Sequence, residues 1–275
     1  MKVSLRVGFR RDDPVNPLDG VLRECREMGY DGIELMLSPS YPYASSGRRG
    51  GGRGPWSSES VTPQLREQLR ESAERHSVEI ATLSADWAWG YAQFNPRLSQ
   101  WDRGIELLRA DVNLAADLGA KAMLMHVGES QGTWEEMKRI VSHAVEEGAR
   151  REVRIGFEAG IFARTGLGGL ESLIKLVDEL DTPWFGVYEH CYWPRGDLQP
   201  HVEIALVGHR MVALHSSALN VQVDYQRMFA ALKEVGYDWY WVFEVGWDRR
   251  RRASTAGGTW SAGTASVVHP RSRYG

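Results

Sequence analysis

The sequence predicts an α/β fold in which eight parallel strands, each followed by a helix, close into a (β/α)8 barrel. Three observations carry this expectation. Apolar runs of strand length alternate with stretches whose apolar residues recur at helical spacing, and such alternation specifies a parallel sheet. Five of the runs end on a residue able to bind a metal: KAMLMH at His126, VRIGFE at Glu158, WFGVYEH at Glu189 and His190, MVALH at His215, and WYWVFE at Glu244. They recur every 25 to 32 residues, the length of one strand-helix unit. Closing parallel strands into a barrel gathers their C-terminal ends, so these distant side chains would meet at one site. Finally, 275 residues with 43% hydrophobic content suit a single barrel, which typically needs about 250.

Taken in order, VSLRVGF is the first strand. PLDGVLRECREMG follows as a helix, with Leu18, Val21, Leu22, Cys25 and Met28 at helical spacing and Gly29 ending it. YDGIELML is the second strand. The next stretch, SPSYPYASSGRRGGGRGPWSSES, is too polar to pack and too long for an ordinary connection, and is expected to be a mobile active-site loop. TPQLREQLRESAERHS is a helix with Pro63 near its start, and VEIATLSADWAW is the third strand. The helix WDRGIELLRADVNLAADLGA presents a broad apolar face from Leu107, Leu108, Val112, Leu114, Ala115 and Leu118. KAMLMH is the fourth strand. The helices TWEEMKRIVSHAVEEGARRE, GGLESLIKLVDELD, DLQPHVEIALVG and DYQRMFAALKEVG then alternate with the remaining strands. Glu27–Asp31 (EMGYD) and Glu234–Asp238 (EVGYD) echo each other as helix end, tight turn and strand start.

After Glu244 the rhythm breaks. A closing helix is due, but DRRRR and ASTAGGTWSAGTASVVHPRSRYG have almost no helical apolar spacing. The expected organisation is a barrel over residues 1–247 and an irregular or disordered tail over 248–275, with the closing helix atypical or missing. Its absence would uncover apolar surface on the first and seventh helices, as a dimer contact or a stability defect. A homo-oligomer is therefore one expected state.

Charge and composition narrow the partners. A formal net charge of −3 gives no global attraction to nucleic acid or an anionic membrane, and neither is an expected partner. Cys25 and Cys191 cannot build a disulfide framework, the N-terminus lacks the apolar core of a signal peptide, and no run has transmembrane length. A soluble cytoplasmic protein is expected.

The segments GYDGIEL, LMHVGE, RIGFEAG, ALHSSA and VFEVGW, in this order, resemble the xylose isomerase-like TIM barrel superfamily, which includes sugar phosphate isomerases and epimerases. The resemblance spans roughly residues 1–247. It implies one divalent metal held by a Glu after strand five, an Asp after strand six, a His after strand seven and a Glu after strand eight. Glu158, His215 and Glu244 match three of these positions. At the fourth, Gly186 is followed by Val187, Tyr188, Glu189 and His190. Register favours His190, whereas charge similarity favours Glu189, and adjacent strand residues face opposite ways. With His190 the donors suit Zn, Mn, Fe or Co better than Mg; with Glu189 they favour Mn or Mg.

The resemblance further implies that Glu158 and Glu244 flank the substrate, one removing a proton beside a carbonyl and the other returning it. His126 is expected to bind a substrate oxygen or the metal, or to be a capped strand-end histidine. Glu34 is expected at the substrate, or capping a neighbouring loop. Trp87, Trp89 and Tyr91, Tyr192 and Trp193, and Trp247 crowd the strand ends, and aromatic faces suit a small polyhydroxylated ligand; Trp87 and Trp193 are the chosen substrate contacts. Arg164, Arg195 and the GLGG turn at 166–169 are read as solvated loop elements. Two positions depart from keto-sugar epimerases, with Trp193 replacing a second histidine and Val221 replacing an arginine. An isomerase or epimerase of a sugar or sugar phosphate is therefore weighed against a dehydratase of a cyclitol or keto acid, and against a non-catalytic sugar-binding barrel. Endonuclease IV chemistry is disfavoured, because Ser216–Asn220 offers no extra zinc ligands.

Overall fold

In the computed structural model, which describes residues 1–8, 18–37, 57–85, 101–125, 132–191, 198–216 and 220–245, eight strands pair in parallel and in chain order. β8 returns to β1, so the sheet closes into a barrel. The strands are β1 (Lys2–Val7), β2 (Gly32–Met36), β3 (Glu79–Ala85), β4 (Ala122–Met125), β5 (Arg154–Glu158), β6 (Phe185–His190), β7 (Met211–Ser216) and β8 (Tyr240–Phe243). Between them run α1 (Leu18–Glu27), α2 (Pro63–His76), α3 (Trp101–Asp117), α4 (Trp134–Arg151), α5 (Ala159–Phe162), α6 (Leu170–Leu180), α7 (Pro200–Val207) and α8 (Tyr225–Glu234).

Local chemistry explains the boundaries. The Thr62 hydroxyl accepts from the Leu65 amide and Pro63 opens α2, while Thr133 and Glu136 form a reciprocal capping box on α4. The EMGYD and EVGYD echo is one turn used twice. Gly29 and Gly236 sit at φ 84° and 70°, and the amides of Tyr30 and Tyr237 donate five residues back to Cys25 and Leu232. That is a Schellman turn, and its left-handed position favours glycine. Met28, expected on the buried face of α1, is 42% exposed. The helix ends at Glu27, so Met28 belongs to the turn rather than to the apolar stripe.

The main core lies between the sheet and the helices, and the apolar face expected of α3 is buried in full. The barrel interior is graded. Towards the strand starts it holds Ala81, Tyr240 and Val242, then Leu124, Tyr188 and Ala213, with Trp239 against both groups. Towards the strand ends it turns polar, with Arg6, Glu34, Thr82, Ser84, Glu158 and His215 all buried.

Two register shifts adjust that polar end, one at Ile33/Glu34 against β3 and one at Val187/Tyr188 against β7. Such bulges re-aim side chains. The first sets Glu34 opposite Thr82, and the second leads to His190 opposite His215. The short α5 was not foreseen; Phe162 anchors it, fully buried against Phe157 and Trp134. Of the expected active-site loop at 38–60, residues 38–56 lie outside the described residues, as does the expected irregular segment after Trp247. Residues 57–60 form a turn in which Ser57 and Ser58 are buried, contrary to the expectation that the stretch is too polar to pack. Among those described, no helix is long and apolar enough to cross a membrane.

Candidate metal and catalytic site

Four side chains from four strands form one polar chain across the barrel mouth. Glu34 Oε1 of β2 lies 2.8 Å from His215 Nε2 of β7. His215 Nδ1 lies 2.9 Å from His190 Nε2 of β6, and His190 Nδ1 lies 3.0 Å from Glu158 Oε1 at the end of β5. Glu244, the residue after β8, places Oε2 4.0 Å from His190 Nε2. The strand order puts Glu158, His190, His215 and Glu244 side by side, because β5, β6, β7 and β8 are consecutive neighbours, whereas Glu34 on β2 meets His215 across the barrel.

A second set of contacts fixes the buried end. Glu34 Oε2 accepts hydrogen bonds from Thr82 Oγ1 at 2.8 Å and from the Tyr188 hydroxyl. Arg6 Nε lies 3.3 Å from Glu34 Oε1, while Arg6 Nη1 donates to Glu244 Oε1 and Nη2 to Ser84 Oγ at 3.2 Å. In the sheet, Arg6, Glu34 and Thr82 are direct lateral neighbours, so their side chains share the inner face.

Burial and charge set the protonation states. Burial alone would raise the Glu34 carboxyl, but the His215 imidazole with its hydrogen bond, the Arg6 guanidinium and the Tyr188 hydroxyl hold it down at about 2. Burial lowers His215 below the ordinary histidine range, reinforced by His190 and Arg6 and only partly offset by Glu34, which keeps the ring neutral at neutral pH. Burial, then the facing Glu34, raise Tyr188 far above the usual phenol, so it stays a donor.

The expected residues separate into three groups. Glu158, His190 and His215 come together, with Glu244 beside them and Glu34 behind His215. Glu189 does not join them. Tyr188 and His190 both reach into the barrel, so alternation turns the intervening Glu189 toward the helix layer, where it is buried. His126, Trp87, Trp89, Tyr91, Tyr192, Trp193, Arg195 and Trp247 lie outside the described residues, as does the Arg164 side chain. Val221, the position expected to depart from an epimerase arginine, is 93% exposed. Arg6, Thr82 and Tyr188 were not anticipated. Tyr188 could have been found two residues before His190, on the same face of the strand.

A divalent cation fits this donor set. One ligand atom each from Glu158, His190 and His215 lies within 4.8 Å of the others, which combines two imidazoles with a carboxylate. Arg6 contacts two carboxylates here, Glu34 and Glu244, and a buried carboxylate such as Glu158 calls for compensating positive charge.

Residues 22–264 match the family model for the xylose isomerase-like TIM barrel, running past residue 247, where the barrel was expected to end. No curated protein matches the sequence significantly. Among solved structures, a D-allulose 3-epimerase from Methylomonas sp. in complex with D-allulose aligns with a TM-score of 0.65 and 16% identity, over 88% of this chain and 83% of that one. A 3-keto-D-glucoside 4-epimerase from E. coli gives 0.64 and 13% over 92% and 95%. A xylose isomerase domain protein from Planctomyces limnophilus gives 0.62 and 12% over 93% of each chain. At these identities the likeness is one of fold.

Proposed function

We propose, because this chain belongs to the xylose isomerase-like TIM barrel family, that it is a divalent-metal-dependent sugar isomerase or epimerase that moves a proton on the carbon beside a carbonyl, through an enediolate. The observation that carries this is the convergence of Glu158, His190 and His215 within 4.8 Å, with Glu244 beside His190. The sugars named for two structural neighbours, D-allulose and a 3-keto-D-glucoside, both offer a carbonyl next to a hydroxyl-bearing carbon, the class of substrate this chemistry requires.

Glu158, His190, His215 and Glu244 would hold the cation, with His190 rather than Glu189 as the strand-six donor. The metal, Zn, Mn, Fe, Co or Mg, would supply Lewis-acid polarisation of the substrate carbonyl. Glu158 and Glu244 stand on opposite sides of His190, near its Nδ1 and its Nε2 respectively, and a carboxylate on either side of a bound sugar is what proton removal and return require. Glu158 is nearly buried and Glu244 partly exposed, so the two carboxylates differ in solvation. Trp87, His126 and Trp193 would supply aromatic faces and a hydrogen bond to the hydroxylated substrate.

The purified chain should carry about one equivalent of divalent metal. Glu158→Gln and Glu244→Gln should each lower turnover of a keto-sugar by about 10²- to 10⁴-fold. Full activity in either variant rejects its proton-transfer role. In D2O, deuterium entering the sugar without loss of water marks isomerisation; loss of water from an inosose or keto acid instead makes the chain a dehydratase.

A further inference from the structure

We infer that Glu34 is a positioning residue, which holds His215 in the tautomer whose Nδ1 lone pair faces His190. The ligand role of His215 rests on the function proposed above, but the hydrogen bonds stand without it.

Glu34 and His215 are both fully buried, with Oε1 2.8 Å from Nε2. An ionised carboxylate only accepts, so Nε2 carries the proton, and on a neutral ring Nδ1 is then left as the acceptor. That atom lies 2.9 Å from His190 Nε2, and His190 in turn meets Glu158 through its Nδ1 at 3.0 Å. The alternative tautomer would set a bare nitrogen against the carboxylate and turn an N–H toward the other donors.

Glu34 can impose this choice because it is itself held from three strands. Arg6 of β1, Thr82 of β3 and Tyr188 of β6 contact its two oxygens, and Arg6 and Thr82 flank it directly in the sheet. The carboxylate therefore has little freedom to swing, and a sugar hydroxyl could reach it only by displacing a protein group. Arg6 extends the control, since the guanidinium that contacts Glu34 also donates to Glu244. The outer partner of a metal-binding histidine commonly fixes its tautomer and ring orientation.

The test compares wild type, Glu34→Gln and Tyr188→Phe. In the metal-free, 15N-labelled chain, long-range proton–nitrogen correlation should show His215 protonated at Nε2 in wild type. A glutamine amide can donate or accept, so Glu34→Gln should lose the exclusive Nε2–H form. Its affinity for Mn²⁺ and Zn²⁺ should fall by about 10- to 100-fold. Tyr188→Phe removes one of the holds on Glu34; it should keep the tautomer and show a smaller but measurable loss of affinity. If Glu34→Gln does not fold, Tyr188→Phe decides, and unchanged affinity there overturns the role. A folded Glu34→Gln chain with the wild-type tautomer and wild-type affinity also overturns it. Wild-type protein that binds neither metal defeats the metal reading instead, and the tautomer comparison still decides on Glu34.

Discussion

His190 is where this chain departs from the carboxylate that the family resemblance implies after strand six, and one side chain can change which cation the site prefers. Its two ring nitrogens bridge His215 and Glu158, whereas an aspartate there would add a third carboxylate to Glu158 and Glu244. Imidazole donors suit Zn, and carboxylates suit Mn and Mg. His190→Asp is therefore expected to move the ratio of Zn²⁺ to Mn²⁺ affinity toward Mn²⁺ by about tenfold, or ~1.4 kcal/mol, in a competition titration. An unchanged ratio would mean that His190 is not a donor. At this scale the sequence was legible where a polar residue closes an apolar run, as at Glu158, His215 and Glu244. It was ambiguous at Glu189 and His190, because facing depends on a register shift at Val187/Tyr188 that no residue type announces. It was silent on Arg6, whose polar atoms lie inside a strand that reads as an ordinary apolar run, and marked Tyr188 only through its spacing of two from His190.

The strands are spaced by small residues as well as by pattern. At Gly186 on β6, an added Cβ would stand 2.1 Å from the Arg210 carbonyl oxygen and 2.8 Å from Val212 Cγ2. The carbonyl belongs to backbone entering β7, so relief requires the two strands to part. Gly186→Ala is expected to cost ~1–3 kcal/mol by overpacking, read as a lower midpoint in thermal unfolding followed by circular dichroism. The same displacement would move Tyr188 and His190, so metal affinity should fall with stability. A wild-type midpoint would show that this contact relaxes freely. The alternation of strands and helices, Pro63 at the start of α2, and the turns at Gly29 and Gly236 were legible because each is written in local residue types. α5 was not, since four residues are too few to display a period, and only the packing of Phe162 identifies it.

For the whole molecule, closure of the barrel and assembly of the site are one event. The proposed donors belong to β5, β6, β7 and the end of β8, and the Arg6–Glu244 pair crosses the seam where β8 meets β1. A cation shared by those strands binds the closed barrel and not the unfolded chain, so it must stabilise the fold by linkage. At a free metal concentration 100 times the dissociation constant, the gain is ~2.7 kcal/mol. A domain of this size gains about 2–4 °C in midpoint per kcal/mol, so metal should raise the midpoint by roughly 5–10 °C. Thermal scans with saturating Zn²⁺ or Mn²⁺, and again after EDTA, measure this directly. The shift should shrink sharply in Glu158→Gln and His215→Ala, which remove donors, but persist in Arg75→Ala, whose exposed pair with Asp19 lies between α1 and α2. Equal shifts in all three variants would place the cation elsewhere. A wild-type midpoint indifferent to both metal and chelator would mean that these strands converge without sharing an ion, and the proposed chemistry would lose its physical basis.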